Sequence, residues 1–253
     1  MAGRFSRYPT SLAARSATFR APKHKSDLLS PWNFRPHVYF RPPPRTLSTF
    51  KKVMEARVDK VSALDGSEAK WIEFKKIDWT DQAGTARTWE AASRKTTGET
   101  GVDAVAIAAL LRHPSRPPST IIILQYRPPV DGTCVEFPAG LIDAGETPAQ
   151  AAVRELREET GYNGKVLDIS PTIVCDPGMS TANMQFATLE VTLGENDPEP
   201  EQQLDDGEFI QRVVVPIHEL HDRLVQLSKE GKKVDARLWH WAAGFQFLKT
   251  YNL

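Results

Sequence analysis

Residues 147–161, TPAQAAVRELREETG, constrain the fold of this chain more than any other stretch. Thr147 is a strong N-cap, Pro148 suits the first helical position, and Gln150 completes a capping box with Thr147. Gly161 supplies the stop signal. At about 100° per residue, Ala149, Ala152, Val153, Leu156 and Thr160 share one face, so the helix packs by that side. Start, stop and buried face are all specified.

The same helix is costly in charge. Glu155 and Glu159 lie one turn apart beside the apolar stripe, with Glu158 a little further round. Like-charged neighbours cost roughly 0.2–0.5 kcal/mol per pair, and the negative end of the helix dipole adds a penalty of similar order. Two readings stand at this point. Arg154 and Arg157 neutralise the acids on a solvated face, or the carboxylates collect a divalent cation, since hard oxygen ligands at this spacing suit Mg²⁺ or Mn²⁺.

The surrounding sequence reads mainly as strands. KWIEFKKIDW alternates apolar and polar residues, DQAG is a turn, and TARTWEAASR returns as its partner. DAVAIAALLR and TIIILQYR are more buried strands, followed by VEFPAG and then the capped helix. KVLDISPTIV, MQFATLEVTL and GEFIQRVVVP are further strands, and IHELHDRLVQLSKEG and VDARLWHWAAGFQFLKTYN carry helical spacing.

With Gly140 and Glu146 added, the segment resembles the signature of the Nudix hydrolases. That signature is a glycine, five residues, a glutamate, seven residues, then Arg-Glu, an apolar residue, any residue, Glu-Glu, any residue and Gly. Gly140, Glu146, Arg154, Glu155, Leu156, Glu158, Glu159 and Gly161 fill it, and the one departure is Tyr162, where the family usually has an aliphatic residue. The resemblance covers roughly Trp71 to Trp241 and implies an α+β fold, the Nudix-type α/β/α sandwich with a mixed sheet and an N-terminal β-extension. It also decides for the cation. Nudix enzymes hydrolyse a nucleoside diphosphate joined to another group, and cations offset the phosphate charge and make a bound water more acidic.

By resemblance the metal ligands are Glu155 and Glu159, with Glu158 sometimes joining, while Arg154 holds the acidic cluster and Glu146 supports it from behind. RTWE, QYRPP, EFPAGLID, DPG and DGEF extend the resemblance to the ADP-ribose pyrophosphatase branch, as does Pro177, sixteen residues beyond Gly161. That branch implies a metal contact from the Ala139 carbonyl, and assigns Glu208 to the metal cluster or to the attacking water. It makes Trp71 and Trp89 an adenine sandwich shared between the subunits of a homodimer. Glu90, Arg94, Arg127, the backbone at Leu141, and Asp176 match its other ADP-ribose contacts, arginine suiting a diphosphate by bidentate bonding. The implied activity is Mg²⁺-dependent hydrolysis of ADP-ribose and related ADP-sugars, Mn²⁺ being an alternative cation.

Three rival functions are kept: hydrolysis of another nucleoside diphosphate derivative, a non-catalytic ADP-ribose-binding module, and an isoprenyl diphosphate isomerase. Binding modules tend to lose box acids, which are all present. The isomerase needs a cysteine in a context that Cys134 and Cys175 lack. His218 and His221, at i, i+3 spacing, have no third ligand and are expected at the surface; Trp239 and Trp241 are expected in the core.

Composition adds the remaining limits. The formal net charge is zero, so no basic field points to nucleic acid, and no apolar run approaches a membrane span. Two cysteines make neither a disulfide framework nor a metal-ligand spacing, and a reducing interior is the default. The first 26 residues have no acid and are rich in Arg, Ser and Ala, the composition of a mitochondrial transit peptide. Residues 1–53 are therefore expected to be a largely disordered leader, residues 54–95 the strands for dimerisation and adenine binding, and residues 96–253 the hydrolase domain. A mitochondrial product is expected, with initiation at Met54 giving a cytosolic form.

Overall fold

A computed structural model describes residues 56–252, and the expected leader lies outside them. The first described elements are a hairpin, β1 (Ile72–Thr80) and β2 (Ala86–Arg94), paired antiparallel in a separate two-stranded sheet. Asp81 closes its turn by accepting from the Ala83 and Thr85 amides, and Gly84 supplies the positive φ that the turn needs.

A nine-stranded mixed sheet follows. Its centre is β3 (Ala104–Arg112) and β4 (Ser119–Arg127). On β3 the residues Val105, Ile107, Ala109 and Leu111 join one apolar cluster, whereas Ala106 and Ala108 join another on the opposite face. A strand buried on both faces needs cover on both, which explains its nearly continuous apolar run. One face is covered by α1 (Pro148–Thr160) through Ala151, Ala152 and Leu156. The other is covered by α2 (Leu220–Lys229) and α3 (Ala236–Tyr251) through Leu220, Leu224, Leu227, Leu238 and Ala242. The expected α/β/α sandwich is present.

Strand β5 (Gly132–Glu136) lies beside β4, and β11 (Lys233–Val234) joins it in parallel. On the other side, β9 (Asn183–Thr192) runs parallel to β3, with β7 (Lys165–Ile169) and β8 (Ile173–Val174) along its outer edge. β10 (Ile210–Pro216) pairs with β4. Proline rewrites two expected strands. VEFPAG breaks at Pro138, so β6 (Ala139–Leu141) leaves β5 and pairs with β3 instead. KVLDISPTIV likewise splits into β7 and β8 around Pro171, which has no N–H to give a ladder.

The helices also start later than their periodicity indicates. Ile217–Glu219 forms a 3₁₀ turn before α2. Val234 is a strand residue, and α3 begins after Asp235, whose side chain caps it. Trp239 and Trp241 pack half-buried against the second cluster, with Trp241 edge-on to Phe137 at 5.4 Å. His218 is exposed, while His221 stacks on Trp239 at 5.1 Å.

Candidate active site

Helix α1 forms as its caps require. Thr147 and Gln150 make the reciprocal capping box, and Gly161 ends α1 with φ 77°. The terminal carbonyls are not left orphaned. Arg212 donates to the Thr160 and Pro200 carbonyls, and the Gln203 amide donates to the Glu158 carbonyl at 2.8 Å. A cation at this end also opposes the dipole penalty on the three glutamates.

The break at Pro138 matters for the site. It turns the chain so that β6 crosses close above α1. The Ala139 amide donates to Glu159 Oε2 at 2.9 Å, and a Cβ on Gly140 would sit 1.9 Å from Glu155 Oε1. Only glycine admits the Glu155 carboxylate there. Glu159, beside the apolar stripe, is buried, only 4 % exposed. Burial pushes its carboxyl up to about 8, and the charges of Glu155 and Glu208 add to the effect. Burial also raises Glu155 against the opposing pull of Arg154.

Arg154 is the hub of the acidic group. It contacts Glu146 at 2.9 Å, Glu155 at 2.7 Å and Glu158 at 3.0 Å, and donates to the Leu141 carbonyl at 3.0 Å. Glu146 is held low chiefly by its bond to Arg154. A guanidinium with its donors spent on the protein holds the carboxylates in place.

These groups border a cavity of about 510 Å³. Of the residues expected from sequence, Arg94, Arg127, Ala139, Leu141, Arg154, Glu155, Glu158 and Glu208 line it, with Glu159 directly beneath Ala139. Glu208 is brought in by the loop before β10, where its own carboxylate accepts from the Asp205 amide at 3.2 Å.

Four expected residues stand outside this cavity. Trp71 precedes β1 and is 68 % exposed; Trp89 is 48 % exposed and donates from its indole to the Gly178 carbonyl at 3.0 Å. Glu90 borders a shallow groove with Phe74 and Met179, and Asp176 opens the tight loop that touches β2 at Ala92.

Five charged residues in the cavity wall carry no role in the sequence reading: Glu136, Asp143, Asp205, Asp235 and Arg237. Glu136 is buried and grips Arg127, at 2.7 Å to Nη2 and 3.2 Å to Nε. Burial alone would lower the Arg127 guanidinium, yet the pairing with Glu136 leaves it raised.

The donor set fits a divalent cation. Glu155, Glu158 and Glu208 line the cavity with Ala139, Glu159 lies beneath Ala139, and carboxylate and carbonyl oxygens are the hard donors that Mg²⁺ and Mn²⁺ prefer. As placed, Glu155 and Glu158 each give an oxygen to Arg154, and among the described residues no three acids or histidines close around a point. The set matches in chemistry; the arginine holds part of it.

Comparison with known proteins settles the family. The NUDIX domain matches residues 103–241, more than half of the chain. The chain belongs to the Nudix hydrolase family. It is 43 % identical over 218 residues to an ADP-ribose pyrophosphatase of Saccharomyces cerevisiae, covering 83 % of this chain and 92 % of that protein. It is 38 % identical over 177 residues to an ADP-sugar pyrophosphatase of Mus musculus, covering 68 % and 80 %. A solved structure described as an ADP compounds hydrolase shares 19 % identity with a TM-score of 0.48, over 79 % of this chain and 98 % of that one. This Nudix hydrolase thus carries its complete box in the geometry described above.

Proposed function

We propose that this Nudix hydrolase cleaves the diphosphate of ADP-ribose and related ADP-sugars with water, giving AMP and, from ADP-ribose, ribose 5-phosphate. The observation that carries the reading is one cavity lined both by the carboxylates Glu155, Glu158 and Glu208 and by the arginines Arg94 and Arg127. A diphosphate is anionic, so a purely acidic site would repel it and a purely basic one would collect no cation. Similarity to the yeast ADP-ribose pyrophosphatase and the mouse ADP-sugar pyrophosphatase favours an ADP-sugar as substrate.

Glu155, Glu159 and Glu208, with the Ala139 carbonyl, would hold Mg²⁺, or Mn²⁺ in its place. When bound, the cation offsets phosphate charge and acidifies water. The remaining work falls to the protein. Arg154 holds Glu155 and Glu158 in place, donating to both from one nitrogen. Glu208 or Glu158 accepts the proton of the attacking water, and both line the cavity for that task. Arg127, oriented by Glu136, and Arg94 bind the diphosphate, and the Leu141 backbone contributes beside them. Trp71, Trp89, Glu90 and Asp176 complete the adenosine side in a homodimer, in which the exposed hairpin of one subunit reaches the cavity of its partner.

Turnover of a panel of nucleoside diphosphate compounds by the purified protein, with products separated by chromatography, tests the substrate assignment. ADP-ribose should be cleaved with the highest kcat/KM. Preference for an oxidised nucleotide or for a non-adenine sugar nucleotide would overturn it.

A further inference from the structure

Across the sheet from α1, the first turn of α3 delivers Arg237 to the same cavity. Its guanidinium is anchored from one side only. Nε donates to Asp235 Oδ1 at 2.9 Å and Nη2 to Oδ2 at 2.7 Å, while Nη1 meets the Met184 sulfur at 3.2 Å. A thioether is a weak acceptor. One N–H on each terminal nitrogen therefore has no protein acceptor among the described residues, and this fork matches two oxygens of a phosphate.

A helix cap alone does not account for this arrangement. Asp235 Oδ1 already accepts from the Arg237 amide at 2.9 Å and the Leu238 amide at 3.4 Å, which satisfies the start of α3. An arginine with no further role would extend its head into water. Arg237 instead lies half-buried over Met184, which is itself buried at the start of β9. The pairing of β11 with β5 aligns Val234 with Val135, and so brings this arginine to the wall that already carries the Glu136–Arg127 pair. Arg237, clamped by Asp235, thus lines the cavity with donors left over, as does Arg127, clamped by Glu136.

We propose that Arg237 binds the substrate diphosphate in the cavity that the box carboxylates also line, and that Asp235 is the positioning residue that aims it. This assignment rests on the substrate reading above. It divides the phosphate charge between two agents, the cation side under α1 and a fixed arginine side under α3.

Three variants test it: Arg237→Gln, Arg237→Lys and Asp235→Asn, each assayed for KM and kcat on ADP-ribose with Mg²⁺ and for melting temperature. Asn caps a helix about as well as Asp, so D235N keeps the cap and removes only the charged two-point clamp. R237Q should raise KM by roughly tenfold to a hundredfold, the scale of a hydrogen bond to a charged group, with a smaller change in kcat. R237K should recover part of the loss because the contact is to an anion. D235N should raise KM in the same direction with its melting temperature kept. Wild-type KM in both R237Q and D235N would overturn the assignment, and a lowered melting temperature with unchanged KM would reduce the pair to a helix-start ion pair. Absence of ADP-ribose cleavage by the wild type would instead remove the substrate reading and this assignment with it.

Discussion

At the scale of single residues, Glu159 is the group under most strain. Its folded carboxyl is raised to about 8 by burial, above the roughly 4.3 of an unfolded glutamate. A raised acid favours the folded state when protonated, so that stability is complete below the unfolded value and is lost as pH climbs through the folded one. In EDTA, Glu159→Gln should therefore melt several degrees above wild type at pH 8.5, with the gap closing below pH 4. Its kcat should fall by on the order of 10²-fold or more, the scale of a lost transition-state contact. Equal melting temperatures at pH 8.5 would show that the buried charge costs nothing. Gly140 offers a second test. Since its added Cβ would displace the Glu155 carboxylate, Gly140→Ala should reduce kcat by on the order of 10²-fold while the fold persists. An unimpaired G140A enzyme would mean that the position of Glu155 is not critical.

At the scale of elements, α1 was the most legible part of the chain because its information is local. Thr147, Gln150 and Gly161 act within a few residues of themselves, and the box glutamates follow by spacing. Thr147→Ala should lower the melting temperature by about 2–4 °C, from the loss of about 1 kcal/mol of capping, with kcat/KM intact. A larger fall in kcat/KM than in stability would mean that the cap also sets the carboxylate geometry. The misreadings are of two kinds. Pro138 and Pro171 divide stretches that read as continuous, although proline's missing N–H is visible in the sequence. Glu136, Asp235 and Arg237 were overlooked because their roles depend on β5, β4 and β11 lying side by side, which no local pattern encodes. The Asp235 N-cap signal was available, but it announces a helix and not a site.

At the scale of the whole molecule, the sandwich has a complete core, whereas the β1–β2 hairpin does not. A two-stranded sheet is marginal in water, and this one exposes Trp71 and Trp89 on one face and Phe74 on the other. Aromatics exposed on both faces call for cover, and a second copy of the chain supplies it in the proposed homodimer. Phe74→Glu should convert a dimer into a monomer in sedimentation, and the monomer should show a raised KM. A wild-type monomer at micromolar concentration with full activity would end the shared-site proposal. The box, the cavity and its arginines then make one central claim, that the α1 carboxylates gather cations in order to cleave a diphosphate. Its most direct test is AMP release from ADP-ribose by wild type and Glu155→Gln, first in EDTA and then with Mg²⁺ restored in excess. The account predicts AMP from the wild type only after Mg²⁺ returns, and little from E155Q at any Mg²⁺ concentration. AMP formed at the same rate in EDTA, or by E155Q as fast as by wild type, would contradict it.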